Sequence, residues 1–250
     1  MKRRLFALAF LLVIGSMNPL LGQQQGYVVV QGIFSLPVDG FAENLGANPR
    51  VTRRDGFDVG TGAGFASEGL GVGLEISLPT GARGLRWNTG LMLLINGSDD
   101  KMLTQTFQSL LGESVVVEFD YGYWIQMPVM TGFQYRFPAF GKTDFYGMIQ
   151  GGLSLILPPT REANVSGATV DKRTYDLTRQ FGYGLGGGFV VNNKFDLGFR
   201  YLDFGEPAFD GTRSLDTGYF DEAHDILGED VILGEKRPVS MLLLSLGYHF

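Results

Sequence analysis

The chain has 250 residues, 20 Lys and Arg against 26 Asp and Glu, a net charge of −6 and no cysteine. The acidic balance excludes the basic footprint that nucleic-acid binding needs, and the missing thiols exclude a disulfide framework or a thiolate metal site. Glycine, at 37 residues, is spread through patterned segments rather than gathered in a tail, as curved and closed sheets use it.

Lys2, Arg3 and Arg4 precede the apolar run Leu5 to Ile14, and Asn18 and Pro19 interrupt the weaker stretch beyond it. This is the pattern of a secretory signal peptide, and the run is too short to span a bilayer. Residues 1–22 are read as that signal, cleaved near Gly22. Residues 23–250 carry no Pro/Ser-rich linker and no charge block, and are read as one domain.

The first strand runs from Tyr27 to Leu36, with Val28, Val30 and Phe34 opposite Tyr27, Gln31 and Ser35. The second ends in Leu70 to Leu78, with Val72, Leu74 and Ile76 outward and Glu75 and Ser77 inward. Phe57 to Phe65 also alternates, but in the opposite phase. A bulge near Ser67 to Gly69 would reset the phase within one long second strand, whereas a hairpin there would add strands and make ten. The bulge is preferred because it keeps the strand number even. A third strand, Leu85 to Gly97, sets Leu91, Leu93 and Ile95 against Arg86, Asn88 and Asn96.

The longest patterned stretch, Val115 to Phe137, reads VVVEFDYGYWIQMPVMTGFQYRF and is taken as one lipid-facing fourth strand. Its odd positions are apolar or aromatic, while Glu118, Asp120, Gln126, Gln134 and Arg136 occupy the other face. A period of two describes a strand. Membrane-crossing strands need roughly 9 to 11 residues, against about 5 or 6 in a soluble sandwich.

The fifth strand comes after a short turn at 138–142 and sets Phe145, Ile149, Leu153 and Leu155 against Tyr146, Gln150 and Ser154. After a polar segment, 158–179, the sixth puts Phe181, Tyr183, Leu185 and Phe189 outward. Its inward positions are Gly182, Gly184, Gly186 and Gly188, leaving room for Arg200 and other long side chains. Asn192 and Asn193 make a tight turn into the seventh, with Phe195, Leu197, Phe199 and Tyr201 outward and Asp196 and Arg200 inward. A long acidic loop, 206–237, precedes the last strand, Met241 to Phe250, whose Leu242, Leu244, Leu246, Tyr248 and Phe250 share one face.

Short and long connections alternate, as in outer-membrane barrels with short periplasmic turns and longer external loops. The expected fold is therefore all-β, a closed, antiparallel, eight-stranded transmembrane barrel integral to the outer membrane and surrounded by its lipid. The terminal strand, ending on Phe250, looks like the signal that the barrel assembly machinery recognises. Further, YGYWIQMPVMTGFQYRF, DFYGMIQGGLSLIL, FGYGLGGGFVVNNKFDLGFRYLDFG and SLGYHF together resemble the PorT-like, "outer membrane protein beta-barrel domain" family. The matching features are Pro128 in the fourth strand, Gly151 and Gly152 in the fifth, and Arg200 with Tyr201 in the seventh. The resemblance implies the barrel and points toward the envelope, without a defined activity.

Alternation turns Glu75, Arg86, Glu118, Asp120, Arg136, Asp196 and Arg200 into the lumen. An eight-stranded barrel is only wide enough for side chains to fill, so these charges are expected to compensate one another. No catalytic, cofactor or metal residues are assigned. The glycines of FGYGLGGGFVV continue as a strand, where a dinucleotide fingerprint would need a following helix. His249 points inward at the wrong rim for a lipid-cleaving Ser/His pair, and His224 has no serine nearer than Ser214. The acidic loop lacks any defined cation-binding spacing. The expected function is non-enzymatic: external loops act in surface binding or in an envelope-structural or assembly role. A lipid-modifying enzyme and a small-solute channel are the other classes, the first needing a Ser/His pair at the external rim and the second an unfilled lumen.

Overall fold

Hydrocarbon offers no partner to a backbone N–H or C=O, so strands cross it only as a closed ring. The computed structural model describes residues 26–42, 50–52, 56–58, 65–101, 104–105, 108, 116–215 and 230–250. The expected signal peptide at 1–22, His224 and most of the acidic loop's carboxylates lie outside the described residues. In chain order the strands are β1 (Tyr27–Pro37), β2 (Arg50–Thr52), β3 (Gly56–Asp58), β4 (Ala66–Pro79), β5 (Leu85–Ser98), β6 (Val117–Tyr121), β7 (Trp124–Pro138) and β8 (Thr143–Leu157). They continue as β9 (Arg161–Val165), β10 (Ala168–Tyr175), β11 (Thr178–Val191), β12 (Phe195–Asp203), β13 (Ala208–Leu215), β14 (Asp230–Lys236) and β15 (Ser240–His249).

Eight of them close a barrel in the order β1-β15-β12-β11-β8-β7-β5-β4, every pair antiparallel. The seam is made by β1, which pairs Val30 with Tyr248 on one side and with Leu74 on the other. Asn192 and Asn193 both take positive φ, 54° and 56°, which is the primed two-residue turn that matches the twist of a hairpin. This turn, the turns after β4 and β7, and both ends of the barrel chain mark one rim, the periplasmic one.

A second sheet has the order β14-β13-β10-β9-β6. Each of its strands adjoins a barrel strand in sequence, and the order of those barrel strands, β15, β12, β11, β8 and β7, is that of the wall. It is the wall itself, carried beyond the outer rim. Gly122, Pro158, Pro159, Gly205, Pro207 and Pro238 lie in the junctions, where a proline lacks the N–H that a ladder uses. Single backbone bonds bridge the gap, such as Gly122 N–H to Thr160 O at 3.0 Å and Val239 N–H to Gly205 O at 2.9 Å.

The junctions change which face of the chain is apolar. Below them, the outward side chains are Val129, Phe133, Tyr135, Phe145, Ile149, Leu185, Phe199, Leu244 and their neighbours, all exposed. From Phe145 to Leu155 on β8 the rise is about 24 Å at a tilt of about 45°, the height of a bilayer's apolar band. Aromatic side chains line the periplasmic edge in mutual contact: Tyr135 with Phe137, Phe137 with Phe145, Phe145 with Phe189, Phe195 with Tyr248, and Tyr248 with Phe250. Above the junctions the outward residues are Glu118, Asp120, Lys172, Thr174, Asp210 and Thr212, while Val117, Phe119, Ala163, Val165 and Phe209 are buried inside. A closed barrel with this belt is an integral outer-membrane protein, as expected.

Three expectations change. Val115 to Phe137 is not one strand: it breaks at Gly122 and Tyr123, so that Tyr121 is buried and Tyr123 is 68% exposed although both are odd positions. Of the stretch Phe57 to Phe65, residues 59–64 lie outside the described residues; β3 pairs with β2 in a separate two-stranded sheet, and the barrel keeps eight strands. The register shift between Ala66 and Gly69 is present within β4. Finally, 158–179 and 206–237 are not plain loops, because they contain β9, β10, β13 and β14. We expect unboiled protein from membrane extracts to migrate differently from boiled protein on a denaturing gel, because closure leaves no strand edge for detergent to open. Identical migration together with recovery in the soluble periplasmic fraction would refute the barrel.

Candidate functional site: the lumen and the external sheet

The lumen is filled in two layers. Toward the outer mouth lies an apolar plug, in which Trp124 packs edge-on against Phe41 (5.1 Å between ring centres) and Phe209 (5.9 Å). Leu94, Met130, Ile156, Leu202, Phe204 and Met241 complete it. Phe204 fits because the inward position opposite is Gly182, where a Cβ would collide with its ring.

The periplasmic half is polar. Arg200 pairs with Glu75 at 2.8 Å, both almost fully buried, and Asn88 donates to Glu75 at 3.3 Å while Gln150 donates to Asn88 at 3.2 Å. Below, Tyr146 donates to Asp196 Oδ1 at 2.8 Å and the His249 ring meets Asp196 Oδ2 at 3.1 Å. A Cβ on Gly188 or Gly198 would fall 2.7 or 2.6 Å from the Tyr146 hydroxyl, so these glycines clear the path for Tyr146. A Cβ on Gly186, the glycine next to Arg200, would fall 2.6 Å from the Phe199 carbonyl oxygen and 3.3 Å from the Arg200 Cβ, so this glycine clears backbone rather than the guanidinium. Tyr27 stacks on His249 (4.3 Å) and lies under the guanidinium groups of Arg86 (4.4 Å) and Arg136 (4.5 Å). Arg86 also donates to the Ser77 hydroxyl at 2.9 Å. Of the charges expected in the lumen, Glu75, Arg86, Arg136, Asp196 and Arg200 are there. Glu118 and Asp120 are not: they sit on the exposed face of β6, beyond the membrane band, because the break at Gly122 resets the side-chain phase.

On the lipid face of β15, Leu242, Leu244, Leu246 and Tyr248 are exposed, and the Phe250 N–H donates to Val28 O at 2.9 Å.

The external sheet carries a second charged group that alternation alone did not single out. Register places Arg161 beside Arg173, Ala163 beside Asp171, and Arg173 beside Arg213, all on the inner face. Asp171 takes two bonds from Arg213, at 3.1 and 2.8 Å, and one from Arg173 at 3.3 Å. Glu235 accepts from the Tyr175 hydroxyl at 2.7 Å and pairs with Arg237. Burial would raise the Glu235 pKa, but Arg237 and the Tyr175 bond outweigh it and hold it below the usual carboxylate value. Burial raises the Tyr121 hydroxyl and lowers Arg161; it would lower Arg173 too, but Asp171 more than offsets it and raises that group. Arg161 itself is 4% exposed, with its guanidinium over the rings of Tyr121 (5.0 Å), Phe65 (5.5 Å) and Tyr175 (5.9 Å). A sequence signal for this cluster exists in hindsight: REANV and TVDKRTY each alternate, with arginine rather than an aliphatic residue in the inward row.

Solved structures share this architecture at low identity. The chain matches a major outer membrane protein from Thermus thermophilus with a TM-score of 0.51 and 13% identity, over 91% of this chain and 100% of that one. It also matches OprG from Pseudomonas aeruginosa (TM-score 0.42, 12% identity, 92% and 98% covered) and the neisserial surface protein NspA (0.42, 12%, 92% and 98%). No family model matches the sequence, and no curated protein matches it. The likeness to the Thermus protein bears on fold alone, and it agrees with the small outer-membrane barrel described above.

The buried pair makes a direct test of the lumen. Replacing only Arg200 by Met is expected to lower stability by about 3–5 kcal/mol, because Glu75 is left buried and unpaired, whereas Glu75→Leu with Arg200→Met recovers most of it. Urea unfolding in micelles, followed by tryptophan fluorescence, measures both; equal losses in the single and double variants would contradict the pairing.

Proposed function

We propose that the protein is a non-enzymatic outer-membrane barrel whose external five-stranded sheet is a surface-binding element. The observation that carries this is the sheet itself: five wall strands continue past the membrane band and bury an arginine–carboxylate face there. A barrel needed only for its wall has no use for such an extension. The filled lumen argues against a solute channel, since the Trp124 plug and the Glu75–Arg200 pair occupy it in succession. The position of His249 argues against a lipid-cleaving enzyme, since its ring is engaged by Asp196 and Tyr27 inside the periplasmic half. The motifs quoted for the PorT-like family fall on β7, β8, β11, β12 and β15 and support that finer placement, together with a role at the envelope. We further assign residues 1–22 to a cleaved signal peptide. The row Leu242, Leu244, Leu246, Tyr248 and Phe250 is the element presented to the barrel assembly machinery.

Reconstituted protein is expected to give no stable conductance in a planar bilayer, and reproducible single-channel steps would restore the channel reading. Deleting Gly211–Gly234 removes most of β13 and β14 and should leave the barrel folded while abolishing binding to isolated envelope fractions. Replacing Phe250 with Asp should instead lower the amount of folded barrel, by removing the aromatic end of the lipid-facing row. If the deletion abolishes folding and the Phe250 change is harmless, the external sheet is part of the barrel's core and the proposed division fails. Heat-dependent gel migration scores folding for both.

A further inference from the structure

We infer that the inner face of the external sheet binds one small oxyanion group, a phosphate or sulfate carried by a ligand from solution, with Arg161 as the residue that receives it. This rests on the external sheet being a binding face. Arg161 leads β9 immediately after Pro158, Pro159 and Thr160, and the phase reset at that junction turns its side chain inward. Its Nε and Nη2 are buried and have no hydrogen-bond partner among the described residues. The surrounding rings of Tyr121, Phe65 and Tyr175 face the guanidinium and favour its charge, but a ring face leaves the in-plane N–H donors of the fork unused. Buried donors of this kind ordinarily have acceptors, and a planar fork matches an oxyanion in two-bond geometry.

The carboxylates nearby are already engaged. Asp171 is held by Arg213 and Arg173, Glu235 by Arg237 and Tyr175, and Glu162 by Lys172 at 2.7 Å. Among the described residues Arg161 keeps two nitrogens of its fork without an acceptor, and an oxyanion supplies one. A cavity of about 20 Å³ lies beside Arg161, lined also by Phe119, Tyr121, Glu162, Ala163, Asp171 and Arg173. That is room for about one water-sized group. It admits one oxygen of a phosphate or sulfate, with the rest of the ligand at the mouth. The sheet lies beyond the lipid-facing belt and its inner face turns away from the outside of the wall, so the ligand arrives from solution.

The test uses the full chain in zwitterionic detergent at constant ionic strength, titrated with inorganic phosphate or sulfate against chloride. Binding is followed by calorimetry and by the arginine Nε–H resonances. Saturable binding that chloride does not reproduce, weakened at least about tenfold in Arg161→Gln, is the expected result. No saturable response, or equal affinity in the variant, overturns the proposal. Should Arg161→Gln lose its heat-dependent gel shift, Arg161→Lys carries the comparison, because it keeps the charge and loses the fork; affinity equal to the parent's would be equally fatal. In nanodiscs, phosphate affinity should be the same in phosphatidylcholine alone and with anionic phospholipid added. Its loss on adding anionic phospholipid would show a headgroup in the site and overturn the assignment to a solution ligand. Failure of phosphate and sulfate while envelope fractions still bind only the intact sheet would sink the oxyanion site and spare the binding face; loss of both would sink the binding face too.

Discussion

A sheet edge in hydrocarbon leaves a row of N–H and C=O groups without partners, and the rest of this structure depends on removing that edge. Eight strands closed on one another make a narrow ring, so the interior becomes a core of side chains rather than a passage. Once the outer face is apolar, period two forces polar groups inward, where each must find a partner. Glu75 with Arg200, Asp196 with Tyr146 and His249, and Tyr27 against His249 and two guanidiniums are the result. Glycine supplies space where a large inward group needs it, as at Gly188 and Gly198 around Tyr146.

Past the outer rim, the solvent on the outside of the wall changes from lipid to water, and the wall turns inside out. On β7 the aromatic row faces outward, while on β6, only two residues earlier in the chain, it faces inward. The same reversal separates β8 from β9 and β12 from β13. Glycines and prolines at the junctions make it possible, because an interrupted ladder lets the chain gain or lose a residue and so exchange its faces.

The proposed function divides along the same line. Below the junctions Glu75, Arg200, Asp196, Tyr146 and His249 are engaged with one another, which suits a wall, while Gln126 is buried there without a hydrogen-bond partner among the described residues. Above them, among the described residues, the inner face combines rings with arginines, and Arg161 has donors to spare. That is the face to which recognition is assigned, because in the lumen Trp124 and its neighbours leave no path.

By itself the sequence determined the strands of the barrel, their outward rows, the Asn192–Asn193 turn and the inward assignment of Glu75 and Arg200, because alternation and turn chemistry are local. It did not determine that Glu75 meets Arg200, 125 positions away, since that contact depends on how eight strands are registered around a ring. Nor could it distinguish Tyr121 from Tyr123. Period two records that one face is apolar but not which solvent lies against it, so Glu118 and Asp120 looked like lumen charges when they are exposed to water. The cluster around Arg161 was hidden for a related reason. Its members come from β9, β10, β13 and β14, and only the pairing of those strands beyond the membrane brings them to one face.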